Sequence, residues 1–446
     1  MGRHGERDGG EMMNRKPEQG TPPEVTPVDR DGWVKETRTY KIITPLFGGG
    51  EEPLKADSIT TVRASEVRGH LRFWWRACKA AEYSSIAEMQ QEEAKIWGST
   101  ESPSEVAVSI RPVAKDSFKR EPAFQVVKEN DKKKTKFSSK IAPYAAFPLQ
   151  PDKNEEKLVG WKSEDILLDI IFELEIKHRN DPELIKNVEA ALWAWETFGG
   201  IGARTRRGFG AIQCVNKNGQ EVKAPKKGTV GELIQSGLKA HVSGKSCELA
   251  GVPYLKRKPR HRAIEFDTKE ILAWKSLIQS LKKFRQSRFS GDHQLSHWPE
   301  ANEIRSKFGK EPNLPDGADK ESLVHKFPRA KLGLPILFHM PRGKGLPDSI
   351  NLQGIKINEK KSIDRLASPL ILRPIACSDG SIGLATILEW LPVQSDETYT
   401  PPGGLVLEGV PKDRKVFSDL DDDEASKIPP LDNNPDVLQA FLDTLK

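Results

Sequence analysis

Cysteine is scarce in this chain. Only Cys78, Cys214, Cys247 and Cys377 occur in 446 residues, and no two form a C-x-x-C pair. No paired histidines accompany them, so neither a zinc site nor a disulfide framework is expected. Four scattered thiols fit a reducing compartment, and a cytoplasmic location is expected. Apolar residues are also few, at 36%. No run reaches transmembrane length and no signal-peptide core is present, which argues against a membrane partner. An H-E-x-x-H metal motif is missing as well. No metal and no cofactor are expected.

What the chain has is charge. Lys and Arg number 70 against 64 Asp and Glu, a formal net charge of +6. The excess is uneven. Residues 255–290 carry eleven basic side chains against three acidic ones, while Asp419 to Glu424 is acidic. Such local basic density suits a polyanion. It also suits a solvated lysine-rich helix face, and charge alone does not separate the two.

A length of 446 residues favours two or three domains. Residues 1 to about 35, rich in Gly, Glu, Arg and Pro, read as a disordered arm. Thr39 to Leu46 reads as a strand, and Ser65 as the N-cap of a helix to about Ala81. A second helix covers about 85–97, and Glu105 to Val113 alternates like a strand. Residues 114–160 look like an insertion around Lys132-Lys133-Lys134. Ile166 to Ile176 reads as one long strand. Asp181-Pro182 opens a helix that stops at Gly199-Gly200, and Phe209 to Val215 is a strand. The resulting β-α-β-β-α-β order is ferredoxin-like.

Residues 220–260 read as a basic linker. Helices follow at about 268–288 and 298–308, then strands at 333–340, 351–357, 366–373 and 381–392. The expected fold is therefore α+β, with two ferredoxin-like domains of antiparallel sheet at 36–220 and 221–417. The stretch 418–446 is expected to be a loose acidic tail.

Three stretches suggest chemistry. In the helix around Arg68-Gly69-His70-Leu71-Arg72-Phe73-Trp74-Trp75-Arg76, Val67, Leu71, Trp74 and Cys78 share one stripe. Arg68, Arg72, Trp75, Arg76 and Lys79 share the next face. Guanidinium groups pair with phosphates, and an exposed indole stacks on an unpaired base. The alternative is a buried Trp75 with arginines paired to acids. The second stretch runs from Gly199 to Gly210, with five glycines and with Arg204, Arg206 and Arg207. Its backbone N–H groups suit an anion cradle. It ends in no Gly-Lys-Ser/Thr, and it lies between a helix and a strand, the wrong order for a dinucleotide site. The alternative is a tight structural turn. The third stretch, Lys282 to His293 with His297-Trp298, interleaves basic and aromatic residues, including Arg285 and Arg288. An ordinary basic helix end fits it equally well.

Catalytic candidates are thin. His70 reads as a core histidine. His261 lies between two arginines, and His293 and His297 are four apart. None comes with a full acid–base set, so no catalytic residue is assigned.

Thr44-Pro45-Leu46-Phe47-Gly48-Gly49, the Trp-Trp-Arg helix and the loop ending Arg206-Arg207-Gly208-Phe209-Gly210 together resemble the RAMP proteins of type III CRISPR systems. More narrowly, they resemble the first-numbered RAMP subunit of the type III-B (Cmr) complex. His297-Trp298-Pro299-Glu300 and Leu366-Ala367-Ser368-Pro369-Leu370 extend the likeness to about 38–375. The resemblance implies two packed ferredoxin-like RAMP domains and a non-catalytic, RNA-binding role. It implies guide and target RNA and the other complex subunits as partners, with the 3′ side of the guide held here. The candidate RNA contacts are Arg68, Arg72, Trp74, Trp75 and Arg76 on the helix. Gly202, Arg204, Arg206 and Arg207 in the loop join them, with Arg285 and Arg288 further on. The rivals are a RAMP endoribonuclease that processes CRISPR transcripts and an assembly subunit whose basic face binds a protein.

Overall fold

The computed structural model describes residues 32–57, 60–111, 118–289, 295–315, 323–340, 345–355, 362–363, 366–391, 404–410 and 414–446. The expected disordered arm lies almost wholly outside them, as does His293. The first strand, β1, is Trp33–Ile42, so residues 33–35 belong to the fold. Helix α1 (Ala64–Lys79) has Arg63 as its N-cap, two residues before the expected Ser65 cap. Helix α2 (Ile86–Trp97) is capped by the Ser85 side chain, which accepts from the Glu88 N–H. Strand β2 is Val106–Arg111.

The insertion is folded. It holds β3 (Lys119–Pro122), β4 (Phe124–Glu129) and β5 (Lys132–Phe137), and β6 (Asp165–Leu168) follows it. Strand β7 is Ile171–Arg179. The expected long strand at 166–176 is thus two strands. The break comes at Asp169, which takes a positive φ; β6 before it pairs with β3, while β7 beyond it joins the main sheet. Helix α3 (Pro182–Phe198) begins as expected: Asp181 caps the Leu184 N–H at 2.8 Å and proline takes the first turn. Strands β8 (Ile212–Lys217) and β9 (Gln220–Glu221) complete this half.

The main sheet runs β2-β7-β1-β8-β9, every pair antiparallel. Its four principal strands have the order fourth-first-third-second, that of the ferredoxin-like fold. The apolar stripes of α1 and α3 cover one face, where Tyr40, Phe172, Leu174 and Ile176 meet Leu71, Trp74, Leu192 and Trp195. Arg38 reaches the same layer, where Glu189 and Glu196 of α3 neutralise it at 2.8 and 2.9 Å.

The expected linker contains a helix, α4 (Val230–His241). Val230, Ile234 and Leu238 form its apolar stripe, and His241 stacks on Trp193 of α3 at 5.2 Å. Next come β10 (His261–Phe266), α5 (Glu270–Arg285) and α6 (Glu300–Lys307). Strands β11 (Ile336–His339), β12 (Ser349–Ile355) and β13 (Ser362–Ile363) precede β14 (Leu370–Cys377) and β15 (Gly380–Ile387). The last strands are β16 (Leu405–Glu408) and β17 (Lys415–Val416). Sheet β10-β15-β14 is antiparallel, with α5 packed on it through Trp274, Leu277 and Leu281. These elements repeat the first β-α-β-β of a ferredoxin-like unit. Strands β11 and β12 do not join them. They pair with β16, β17 and β13 in a separate sheet with its own core.

The C-terminal stretch is a correction. Residues 418–446 are not a loose tail, because α7 (Asp422–Ser426) and α8 (Val437–Asp443) pack into the second core. Ala425, Ile428, Leu431, Val437, Phe441 and Leu442 are all buried. The acidic run is the N-terminal cap of α7: Asp421 and Glu424 form a reciprocal capping box, suited to the helix dipole.

The halves are joined by buried polar contacts. Arg373 of β14 is 2% exposed, and it donates to the carbonyls of Glu196, Gly199 and Ile212 at 2.6–2.9 Å. The first two are orphan carbonyls of the α3 C-terminus. Phe47 and Phe209 of the first half lie in one cluster with Trp274 of the second and Phe124 of the insertion. Among the described residues, no helix is long and apolar enough to cross a membrane.

Candidate nucleic-acid interface

Helix α1 does not present the face that its own periodicity suggests. Trp75 is wholly buried, and its indole N–H donates to Asn187 Oδ1 of α3 at 2.7 Å. Trp74 is also buried, stacked on Phe198. Arg72 and Arg76 both bond Glu93 Oε1 of α2 at 2.6 Å. Arg68 donates to the Trp97 carbonyl. The physical reason is that α2 and α3 flank α1 on either side. A wheel drawn for α1 alone leaves that second wall out.

The glycine loop is a structural turn. The N–H groups of Ile201, Gly202, Ala203, Arg207, Gly208 and Gly210 are all taken by protein acceptors. For Gly202 the acceptor is Glu66 Oε1, at 2.7 Å. An anion cradle made of these amides is therefore excluded. Gly208, at φ +78°, lies so close to Trp274 that an added Cβ would come within 2.6 Å of the indole. Phe209 is core, packed between Phe47 and Trp274, so its position in an Arg-Gly-Phe-Gly sequence carries no base stacking.

The loop's arginines remain cationic features. Arg207 donates to the carbonyls of Leu370 and Leu332 at 2.9 and 3.1 Å, and Arg206 to that of Ser368. Carbonyls satisfy the N–H groups and leave the charge uncompensated. Burial pushes Arg206 down to about 10 and Arg207 to about 9, and Arg285 and Arg204 beside Arg207 push it the same way. Burial lowers Arg285 too, with Arg329 as a like-charged neighbour. Arg204 is exposed, in a left-handed conformation.

The helix and the loop meet at a cleft of about 400 Å³, lined by Glu66, Gly69, His70, Phe73, Trp74, Phe198, Thr205 and Arg206. The Arg206 guanidinium sits 5.3 Å from the centre of the Phe73 ring. His70 faces this cleft half-buried, 3.9 Å from Glu66, and is not the core histidine expected. Of the expected contacts, only Arg206 and Trp74 line it. Phe73 was missed: it adjoins the buried stripe, and nothing in the helix pattern separates a cleft-lining ring from a core one.

A second cleft of about 600 Å³ lies where α5 and α6 meet β11. Arg288, Arg305, Arg329, Trp298 and His339 line it. From the third basic stretch only Gln286, Arg288 and Trp298 line it, and Arg285 is half-buried outside it. His297 is held by Ser287 at 2.7 Å. Among the described residues, no cluster of three His, Cys, Asp or Glu could hold a metal.

The model of the RAMP superfamily matches residues 39–213. The CRISPR system Cmr subunit Cmr1-1 of Pyrococcus furiosus is 24% identical over 160 residues, 36% of this chain and 42% of that protein. The match thus spans less than half of that relative's length. The crystal structure of Cmr1 from Pyrococcus furiosus in its apo form aligns with a TM-score of 0.47 at 16% identity, over 89% of this chain and 97% of that one. A chain in the cryo-EM structure of the type III-B Cmr-beta bound to cognate target RNA aligns with a TM-score of 0.44 at 14% identity, over 80% and 94%. The matched region, less than half of the chain, runs from within β1 to the start of β8 and includes α1 and α3, and over it the chain is similar to the RAMP superfamily.

Proposed function

We propose that this protein is a non-catalytic, RNA-binding subunit of a type III-B CRISPR effector complex. In this reading it holds the 3′ side of the guide RNA, helps to capture target RNA, and works in the cytoplasm among other Cmr subunits. The observation that carries the reading is the cleft between α1 and the arginine loop. There an uncompensated guanidinium lies over an aromatic ring, with Trp74 and Phe198 as an apolar floor. A base packs against the part-exposed Phe73 ring while Arg206 meets its phosphate. Arg204, Arg207 and Arg285 supply positive potential behind it. Likeness to Cmr1-1 supports the assignment to this kind of complex.

The test is fluorescence anisotropy with a labelled oligouridine. Phe73→Ala and Arg206→Gln should each weaken binding about tenfold, within the range of one stacked base. Equal binding by both variants rejects the cleft as the RNA site. A nuclease reading draws on one observation, His70 beside Glu66 in the same cleft. RNA cut by the wild type and left intact by His70→Ala would favour it.

A further inference from the structure

The insertion ends in a two-stranded ribbon whose edges differ. Val126 donates to the Trp161 carbonyl at 2.9 Å, and its own carbonyl accepts from Gly160 at 2.8 Å; the Phe124 carbonyl accepts from Ser163. The outer edge of β4 is therefore closed by residues 160–163. The backbones of Phe124 and Val126 turn away from β5, so in an antiparallel ladder Gln125, Val127 and Glu129 turn toward it. Their partners are Lys136, Lys134 and Lys132. Lys133, Thr135 and Phe137 then point their N–H and C=O groups outward. Among the described residues, strand β5 pairs with β4 alone, and all six of its residues are exposed.

Directly paired residues share a face. Lys132, Lys134 and Lys136 share one face with Val127, Gln125 and Glu129. The only acid among them, Glu129, pairs with Lys134 and Lys136 at 3.1 and 3.5 Å. Lys133, Thr135 and Phe137 share the other, where Phe137 is 55% exposed. Lys133 reaches the Lys157 carbonyl, which sets the exposed Leu158 and Val159 beside this face.

We propose that the outer edge of β5 receives an extended strand of a partner protein, one that alternates carboxylates with apolar side chains. The outward amides of Lys133, Thr135 and Phe137 supply the ladder. Carboxylates opposite Lys132, Lys134 and Lys136 meet ammonium groups at the same two-residue period, and the alternate apolar side chains cover Phe137. Lysines on an open edge repel basic and identical strands, which keeps the free protein from pairing with itself; only an acidic strand reverses the sign. This surface is separate from the RNA cleft and does not depend on it.

The full chain is titrated with a labelled peptide of about seven residues alternating glutamate with valine, beside a scrambled peptide of equal composition. Hydrogen exchange is followed on the bound sample. The alternating peptide should bind at least about tenfold more tightly, and slow exchange at Lys133, Thr135 and Phe137. Thr135→Pro removes one outward N–H and no β4–β5 bond, so it should cost about tenfold in peptide affinity while oligouridine binding and circular dichroism stay unchanged. Lys132→Glu/Lys134→Glu/Lys136→Glu should abolish peptide binding. Equal affinity for both peptides overturns the proposal. So does a charge reversal that weakens RNA binding while Thr135→Pro changes nothing, which would make this a nucleic-acid surface. Failure of the RNA cleft appears separately, in Phe73→Ala and Arg206→Gln.

Discussion

Glu93 Oε1 accepts from Arg72 Nε and Arg76 Nη1 at once, each at 2.6 Å, and only 3% of this glutamate is exposed. Two cations on α1 thus converge on one carboxylate of α2. Glu93→Ala removes the shared acceptor. Both arginine side chains keep about a third of their surface in water, which lowers the loss below the roughly 3–5 kcal/mol of a fully buried pair. A drop of about 1–3 kcal/mol in urea denaturation is expected. Arg72→Ala should likewise lower stability while leaving the salt slope of RNA binding unchanged.

Trp75 and Phe73 separate fold from site. Trp75→Ala empties a core position and orphans Asn187, and should destabilise by about 3–5 kcal/mol. Phe73→Ala should weaken RNA binding with a much smaller change in the denaturation midpoint. Urea titration of both, beside RNA anisotropy, checks the contrast.

Two glycines should respond in opposite ways. Gly208→Ala forces a methyl against the Trp274 indole at a positive φ, and should cost about 1–3 kcal/mol. An added Cβ at Gly69 meets nothing within 4 Å. Gly69→Ala, inside α1, should stabilise by about 0.5–1 kcal/mol. Thermal denaturation of the pair reads both signs.

Glu175 gives the fold a pH dependence. Hydrogen bonds from Lys35 and Lys177 hold its carboxyl at about 2, against an ordinary 4.5. The folded state therefore favours the ionised form. Its contribution is complete above pH 4.5 and is lost as pH falls toward about 2. Urea midpoints across that window should fall, and Glu175→Gln should flatten the fall. Added salt should weaken the effect.

Much of this architecture is legible in the sequence where an element declares itself locally. The Asp181-Pro182 start, the Gly199-Gly200 stop and the alternation after Glu105 all mark real boundaries. What failed depends on a second element. The α1 pattern gives its buried stripe but says nothing of α2 and α3 flanking it, so Trp75 and its arginines read as surface. Asp419 to Glu424 hid the spacing of Ala425, Ile428 and Leu431 behind an acidic run. The glycines of the loop were read as a place for a ligand, whereas at Gly208 the close neighbour is Trp274. Phe73 and His70 become cleft residues only once the loop returns to α1 from more than a hundred residues away.

Arg373 has one more consequence. Its guanidinium terminates α3 from the other half of the molecule, so neither half keeps its polar groups satisfied alone. Cutting the chain near residue 220 would strand three carbonyls on one piece and a buried cation on the other. Unfolding should therefore be a single cooperative event across both sheets, and a shortened version for expression should be sought elsewhere than at the midpoint.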